Sequence, residues 1–473
     1  MSTLGTAQNP VRAAIVGSGP SGFYATEALL RSGPVVLVDM YERLPSPFGL
    51  VRSGVAPDHP KLKQPIRVYQ QIAESPRFQF LGNVTVGRDI TVEELKGCYH
   101  AVIFACGAET DRKLGIPGEH LAGSHAATEF VGWYNGHPDY RELVFDLSHE
   151  TAVVIGQGNV AVDVCRILCK TADELRHTDI AGHALEILAK SKIRDVYMIG
   201  RRGPAQAKFT HQELREFGEL TDCDPIVDPR DLELNPASRA ELADRRNRAN
   251  TKSYEVLRAF AARAAPTRRR RCHIRFLKSP KEIKGDSRLE RVVLARNCLE
   301  GEPSQQVARE TGEVEELACG MLFRSIGYRG VPIAGVPFDD GRGVFANRVG
   351  RVVDGENIVP GLYVTGWIKR GATGIIGTNR ADSEATVTSL LSDLPSLPSD
   401  ARTGADGLTR LLRSRSVRVV SYMDWQKMDA AEIRRGETAG KPREKFTRVK
   451  EMLEVLESES DFQMTQQLFP NMA

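Results

Sequence analysis

With 473 residues, 41% of them hydrophobic and 26% charged, the chain has the size for two or three ordinary domains and the composition of a folded globular protein. No run approaches the roughly 18 uninterrupted apolar residues that a membrane span needs, and the ten polar or small residues before Val11 are too short and too weakly apolar for a signal peptide and too Arg-poor for a transit peptide. The net charge of +3 hides an uneven distribution: eleven Arg and Lys between Arg245 and Arg275 face only Glu255, so the remainder is net acidic.

Val11–Gly17 reads as a buried parallel strand, followed by a Gly-rich turn, a helix over Ser21–Arg31 that ends at Gly33-Pro34, and a second strand over Val35–Met40. His100–Gly107 is another buried strand. The pattern then restarts with a strand at Thr151–Gly156, a helix at Asn159–Lys170 and a strand at Arg194–Gly200. Short apolar strands follow at Ala318–Gly327 and Leu362–Gly366, both expected to return to the first sheet. The Ser-, Pro-, Asp- and Gly-rich stretch beyond Leu390 reads as a surface loop, and Val449–Leu456 as an amphipathic helix. Two β-α-β starts, at Gly17 and Gly156, predict an α/β fold with two Rossmann-like dinucleotide-binding domains, the second inserted in the first.

The eight cysteines form no C-x-x-C pair and no zinc or iron–sulfur spacing. Cys165 and Cys169, four apart on a helix, read as buried small hydrophobes.

The first turn is Gly17-Ser18-Gly19-Pro20-Ser21-Gly22. Gly17 allows the tight turn, Gly19 lets a pyrophosphate approach the backbone, and Gly22 lets helix and strand pack closely. The helix N-terminus turns its free N–H groups toward the phosphates. Glu42, twenty residues after Gly22, ends the next strand. A carboxylate there accepts both ribose hydroxyls and repels a 2′-phosphate, so this site takes FAD or NAD. The second turn is Gly156-Gln157-Gly158-Asn159-Val160-Ala161, and its following strand ends in Gly200-Arg201-Arg202. Two guanidiniums grip a 2′-phosphate, which selects NADPH. A chain with one site of each kind passes hydride from nicotinamide to flavin.

Without a redox cysteine pair, electrons leave the flavin for a separate acceptor: another protein, a quinone or oxygen. The basic segment Arg245–Arg275 favours an acidic protein by electrostatic steering. Few aromatics lie among the charges and no RNA-binding motif accompanies them, which argues against nucleic acid.

Pro47-Phe48-Gly49-Leu50-Val51-Arg52, Gly54-Val55-Ala56-Pro57-Asp58-His59-Pro60 and Gly156–Ala161 resemble the adrenodoxin reductase family, with its bacterial ferredoxin–NADP reductase counterparts. So do Phe130–Gly136, Gly200-Arg201-Arg202-Gly203-Pro204, Gly366-Trp367-Ile368-Lys369-Arg370-Gly371 and Gly440-Lys441-Pro442-Arg443-Glu444-Lys445. The resemblance implies a ferredoxin–NADP reductase with FAD and NADP(H) as cofactors and an acidic ferredoxin as partner. It implies FAD contacts at Ser21, Glu42, Leu50, Val86, Trp367, Gly374, Ile375 and Ile376. NADPH contacts are implied at Gln157, Gly158, Asn159, Val160, Arg201, Arg202, Glu213 and Gly374. It puts His59 near the flavin, bonded to an acid matched by Glu216, with Asp163 a second acidic candidate. His59 then moves a proton, contacts the partner or fixes its loop. Lys208 departs from the family pattern, which is apolar there. The expected layout is an FAD domain over 1–109 and 332–473 around an NADP domain over 110–331, in a monomer that is cytoplasmic or the mature form of a chain whose presequence has been removed.

Overall fold

The computed structural model describes residues 3–457. It forms two compact units. One takes in the described chain up to Val55, His59–Thr110 and the described residues from Tyr328 on. The other takes in Asp111–Gly327 and the three residues Ala56–Asp58.

The first unit is built on a seven-stranded sheet in the order Asn347–Arg348, Arg351–Asp354, Asn357–Val364, Ala101–Phe104, Val11–Val16, Val36–Tyr41, Phe78–Leu81. The last five of these run parallel, and an antiparallel hairpin closes one edge. The apolar run Val11–Val16 divides its side chains between two cores. Val11, Ala13 and Ile15 meet Phe23, Leu29, Tyr69 and Trp425 on one face. Ala14 and Val16 meet Tyr41, Leu95, Phe104 and Phe345 on the other. A strand buried on both faces cannot alternate apolar with polar, which is why the run is continuous.

The second unit is built on six parallel strands, in the order Ser124–Ala126, Met321–Arg324, Thr151–Ile155, Asp195–Ile199, Arg270–Arg275, Cys223–Val227. Ala152 and Val154 pack with the helix Asn159–Cys169. Val153 and Ile155 pack instead with Ile283, Leu289, Val292 and Leu294, most of them from an antiparallel sheet of Lys278–Lys284, Arg291–Glu300 and Val307–Ala318.

Three expectations change. The strand near Ala318–Gly327 pairs with Thr151–Ile155 and so joins the second sheet, while Asn357–Val364, with the hairpin before it, returns to the first. The helix Thr378–Asp393 continues past Leu390, because Leu390 is buried in the first unit's core. The Pro- and Ser-rich stretch then yields a second helix, Ala405–Ser414, whose Leu408 and Leu412 are buried and whose Ala405 N–H donates to Asp39 Oδ2 at 2.9 Å. Near the end of the described chain, 449–457 is helical.

Candidate functional sites: two nucleotide cradles

In the first unit the strand Val11–Val16 turns through Gly17–Gly19 into the helix Pro20–Leu30. Gly17 has φ +106°, and a Cβ there would sit 2.6 Å from the carbonyl oxygen of Ala105, so only glycine allows this turn. At Gly22 a Cβ would sit 2.1 Å from the Gly17 carbonyl oxygen. Gly19, by contrast, faces open space, with nothing within 4 Å of a Cβ. As N-cap it offers no side-chain oxygen, so the first N–H groups of the helix have no cap from its side chain.

The loops around this turn are tied to it. Glu42 accepts hydrogen bonds from Ser18 N–H (3.1 Å), Ser18 Oγ (2.6 Å) and Leu44 N–H (3.1 Å), which fix its carboxylate beside the glycines. Val84 N–H donates to the Glu42 carbonyl at 2.9 Å, anchoring the loop that carries buried Val86. Phe48 N–H donates to the Ser18 carbonyl at 3.0 Å, and a Cβ at Gly49 would come within 3.0 Å of Gly19 Cα. Phe48 itself is buried with φ +82°, a left-handed conformation that an aromatic residue adopts only under constraint. Leu50 follows, partly exposed, in the short helix Gly49–Ser53.

Ser21 Oγ donates to Asn379 Oδ1 at 3.1 Å, and Ser383 Oγ donates to the Ser21 carbonyl at 3.0 Å. Trp367 opens a helical turn, donates its indole N–H to the Thr373 carbonyl at 3.2 Å and lies 5.2 Å from the Tyr328 ring. Gly374 and Ile375 are exposed, Ile375 at 68%, and Ile376 packs on the core. Sequence reasoning missed Asp382, which accepts from Gly366 N–H (2.6 Å) and Arg370 (3.0 Å) and pairs with Lys369 (2.9 Å). The signal was Asn379, Asp382, Ser383 and Thr386 repeating on one helix face.

The second unit repeats the device with different chemistry. Gly156 has φ +138°, and a Cβ there would lie 2.1 Å from the Ser325 carbonyl oxygen. Gly158 faces open space and caps the helix Asn159–Cys169 with no side-chain bond. Buried Ala161 replaces the third glycine, and Val160 packs on the core. The Gln157 side chain donates to the Arg275 carbonyl at 2.9 Å. It crosses Gly200, where a Cβ would fall 1.8 Å from Gln157 Oε1. That crossing explains the glycine in front of the Arg pair. Asn159 Oδ1 accepts from Thr210 N–H at 2.9 Å, and Glu213 N–H donates to Thr210 Oγ1 at 3.4 Å. Arg201 is exposed and Arg202 half-buried, their carbonyls held by Asn297 and by Leu277 N–H. Among the described residues neither guanidinium has a carboxylate partner.

The acidic candidates converge on one cation. Fully buried Arg166 donates to Asp58 through two bonds (2.7 and 3.0 Å) and to Asp163 (2.7 Å), and it pairs with Glu216 at 3.4 Å; Lys170 adds a 3.0 Å pair to Asp58. Burial alone would lower the guanidinium pKa, but Asp163, Asp58 and Glu216 outweigh it and raise it. The structure therefore gives Asp163 and Glu216 a charge-pairing task. His59, next in the chain after Asp58, belongs to the first unit, at the start of the turn Pro60–Lys63.

The basic segment is largely regular structure. It contains the helix Arg248–Ala261 and the strand Arg270–Arg275. Acids from elsewhere in the chain meet many of its cations: Asp244 pairs with Arg246, Asp224 with Arg268, Asp222 with Arg269, Asp195 with Arg271 and Asp231 with Arg275. Arg270 is buried on the carbonyls of Cys169, Lys170 and Ile193. Arg245, Arg248, Lys252, Arg258 and Arg263 have no carboxylate partner among the described residues.

Both cradles fit a dinucleotide: an open lane before an uncapped helix N-terminus, with a carboxylate at one strand end and free guanidiniums at the other. Residues 11–202 match the family described as pyridine nucleotide-disulphide oxidoreductase. The chain is 48% identical to NADPH-ferredoxin reductase FprA of Mycobacterium leprae over 93% of this chain and 97% of that protein. It is 47% identical to the mitochondrial NADPH:adrenodoxin oxidoreductase of Homo sapiens over 93% and 91%. The solved structure of Mycobacterium tuberculosis FprA in complex with NADPH superposes with a TM-score of 0.89 at 46% identity, covering 94% of this chain and 99% of that one. The chain belongs to the family of FprA and adrenodoxin reductase.

Proposed function

We infer that this chain is an FAD-dependent NADPH:ferredoxin oxidoreductase. The observation that carries the reading is the opposite charge at the two strand ends, Glu42 in the first cradle and unpaired Arg201 and Arg202 in the second. When bound, FAD accepts hydride from NADPH and hands electrons singly to a ferredoxin-type iron–sulfur protein.

In this reading Gly17, Gly19 and Gly22 shape the lane for the FAD pyrophosphate and Glu42 holds its ribose hydroxyls. Ser21, Leu50, Val86, Trp367 and Gly374–Ile376 line the remainder of that cofactor. Gln157, Gly158, Asn159 and Val160 present helix N–H groups to NADPH, Arg201 and Arg202 select its 2′-phosphate, and Glu213 and Gly374 complete the contacts. Asp163 and Glu216 act through the Arg166 pairing, and His59, next in sequence to Asp58, works as a loop or proton-handling residue.

The ferredoxin lands on the cations that have no internal partner. Arg248 and Arg258 are exposed on their helix, away from buried Leu257 and Phe260, while half-buried Lys252 stands one turn before buried Val256, at the edge of that face. A cytoplasmic location belongs to the same proposal. It is supported by eight cysteines that are all free, as expected in a reducing compartment. No helix among the described residues is long and apolar enough to cross a membrane.

The test is anaerobic. The purified protein is mixed with NADPH or NADH while flavin absorbance is followed, and ferredoxin and cytochrome c are then added at two salt concentrations. Bleaching preferentially by NADPH, with cytochrome c reduction that needs ferredoxin and weakens with salt, is the expected result. Bleaching without ferredoxin dependence would move the acceptor to a quinone or another small molecule.

A further inference from the structure

Beyond the Arg pair, one more cation stands at the second cradle. Lys208 N–H donates to the Gln157 carbonyl at 2.9 Å, and two residues on, Thr210 N–H donates to Asn159 Oδ1 at 2.9 Å. The segment Lys208–Thr210 is thus stitched along Gln157–Asn159, on both sides of Gly158. The first of these bonds joins the two backbones directly, which puts them about 5 Å apart at Lys208 and Gln157.

The segment is also braced from behind. Asn250, on the basic helix Arg248–Ala261, donates to the Ala205 carbonyl at 2.7 Å and to the Ala207 carbonyl at 3.4 Å. Ala207 and Phe209, flanking Lys208, are buried in the core. Lys208 alone of the three is exposed, and among the described residues it pairs with no carboxylate. Lys208 thus presents an unpaired ammonium on a backbone bonded to the turn whose Gly158 faces open space. The local field is positive: His211 is held below its ordinary pKa by burial and by the charges of Lys252 and Arg215.

We propose that Lys208 is a further anion-binding residue of the NADP(H) cradle, closing its ammonium on the pyrophosphate. The pyrophosphate is the phosphate concerned because Lys208 is bonded to the glycine turn, whereas the 2′-phosphate belongs to Arg201 and Arg202 at the strand end. The four-carbon stem lets the charge swing over the lane that Gly158 leaves open. Lys208 then adds affinity for any dinucleotide and contributes nothing to the choice between NADP and NAD. The inference rests on the reading of Gly156–Ala161 as the NADP(H) turn.

Calorimetric titration of the oxidised, FAD-loaded protein with NADP+, NAD+ and 2′-AMP tests it by binding alone. Lys208→Met is expected to weaken NADP+ and NAD+ each about tenfold, the weight of one charge-assisted bond. The same variant should leave 2′-AMP unchanged, and Lys208→Arg should stay within about threefold of the parent. Unchanged NADP+ affinity in Lys208→Met overturns the proposal. So does equal weakening by Met and Arg, or a loss confined to NADP+ and 2′-AMP, which would put the lysine on the 2′-phosphate. Arg202→Met, measured alongside, should weaken NADP+ and 2′-AMP but spare NAD+. A flat Arg202→Met result defeats the reading of the Arg pair while leaving the Lys208 comparison intact.

Discussion

Gly19 and Gly22 stand three residues apart in one turn, yet their surroundings demand glycine for different reasons. A methyl at Gly22 would meet the Gly17 carbonyl at 2.1 Å, so Gly22→Ala must push the helix off the strand, a destabilisation of about 1–3 kcal/mol. A methyl at Gly19 meets no protein atom, and φ −77° suits alanine. Gly19→Ala should therefore fold within about 0.5 kcal/mol of the parent and still lose FAD, because the methyl occupies the pyrophosphate lane. Flavin-to-protein ratio and apoprotein melting separate the two; a Gly19→Ala protein that retains full flavin would refute the lane. Val349 makes the converse case. It sits with φ +52° beside Gly350 (φ +82°) in the two-residue loop joining Asn347–Arg348 to Arg351–Asp354. That turn favours Asn-Gly, and a β-branched residue there is strained. Val349→Asn should raise stability by about 1 kcal/mol, seen as an upward shift in the melting temperature of about 2 °C.

The C-terminal motif Gly440–Lys445 acquires its meaning from one buried pair. Arg52 and Glu432 meet at 2.6 Å with side chains only 6% and 1% exposed, and the Arg52 guanidinium lies 4.7 Å from the centre of the Trp425 ring. The strap is sewn over them: Phe446 N–H donates to Glu432 Oε1 at 3.0 Å, Glu444 N–H to the Glu432 carbonyl at 2.9 Å, and Lys445 Nζ to the Arg52 carbonyl at 3.2 Å. Arg52 lies in the helix Gly49–Ser53 that carries Leu50. Glu432→Gln strands a guanidinium in the core and should cost about 3–5 kcal/mol, whereas Arg52→Met with Glu432→Met should recover only part of it, because methionine offers the buried Phe446 N–H no acceptor; urea unfolding of the three proteins decides. None of this was readable beforehand, since the partners lie 380 residues apart. What could be read was local. Both strand–turn–helix units, the acid at Glu42 and the Arg pair follow from short-range order along the chain, within about thirty residues in the first unit and about fifty in the second. The sheet that Met321–Arg324 would join was not local, because an apolar run does not say which edge it completes. The same holds for the thiols. Cys165 and Cys169, read as buried small hydrophobes, are fully buried, but their neighbours were not readable: Cys223 and Cys272 arrive from neighbouring strands, and contacts link Cys165 to Cys272 and Cys169 to both Cys272 and Cys223.

Charge shows most clearly how far a count along the chain departs from the field around the molecule. Between Arg245 and Arg275 the sequence offers Glu255 as the only acid, but folding brings Asp195, Asp222, Asp224 and Asp231 onto the segment's strand and its flanks. Paired cations cancel over a few ångströms, and only unpaired ones project a field that steers an acidic partner across a Debye length of about 8–10 Å. The docking proposal therefore rests on Arg245, Arg248, Lys252, Arg258 and Arg263, and it separates residues that composition treats alike. Arg248→Glu and Arg258→Glu should each raise the ferredoxin KM several-fold and flatten its salt dependence, with ferricyanide reduction by NADPH unchanged as a check on both cradles. Arg269→Glu, which removes a cation already held by Asp222 at 3.1 Å, should matter less. If the two helix reversals leave ferredoxin kinetics and their salt dependence untouched, ferredoxin binds another face. If Arg269→Glu is as damaging as they are, net charge does the steering and internal pairing does not decide which cations count.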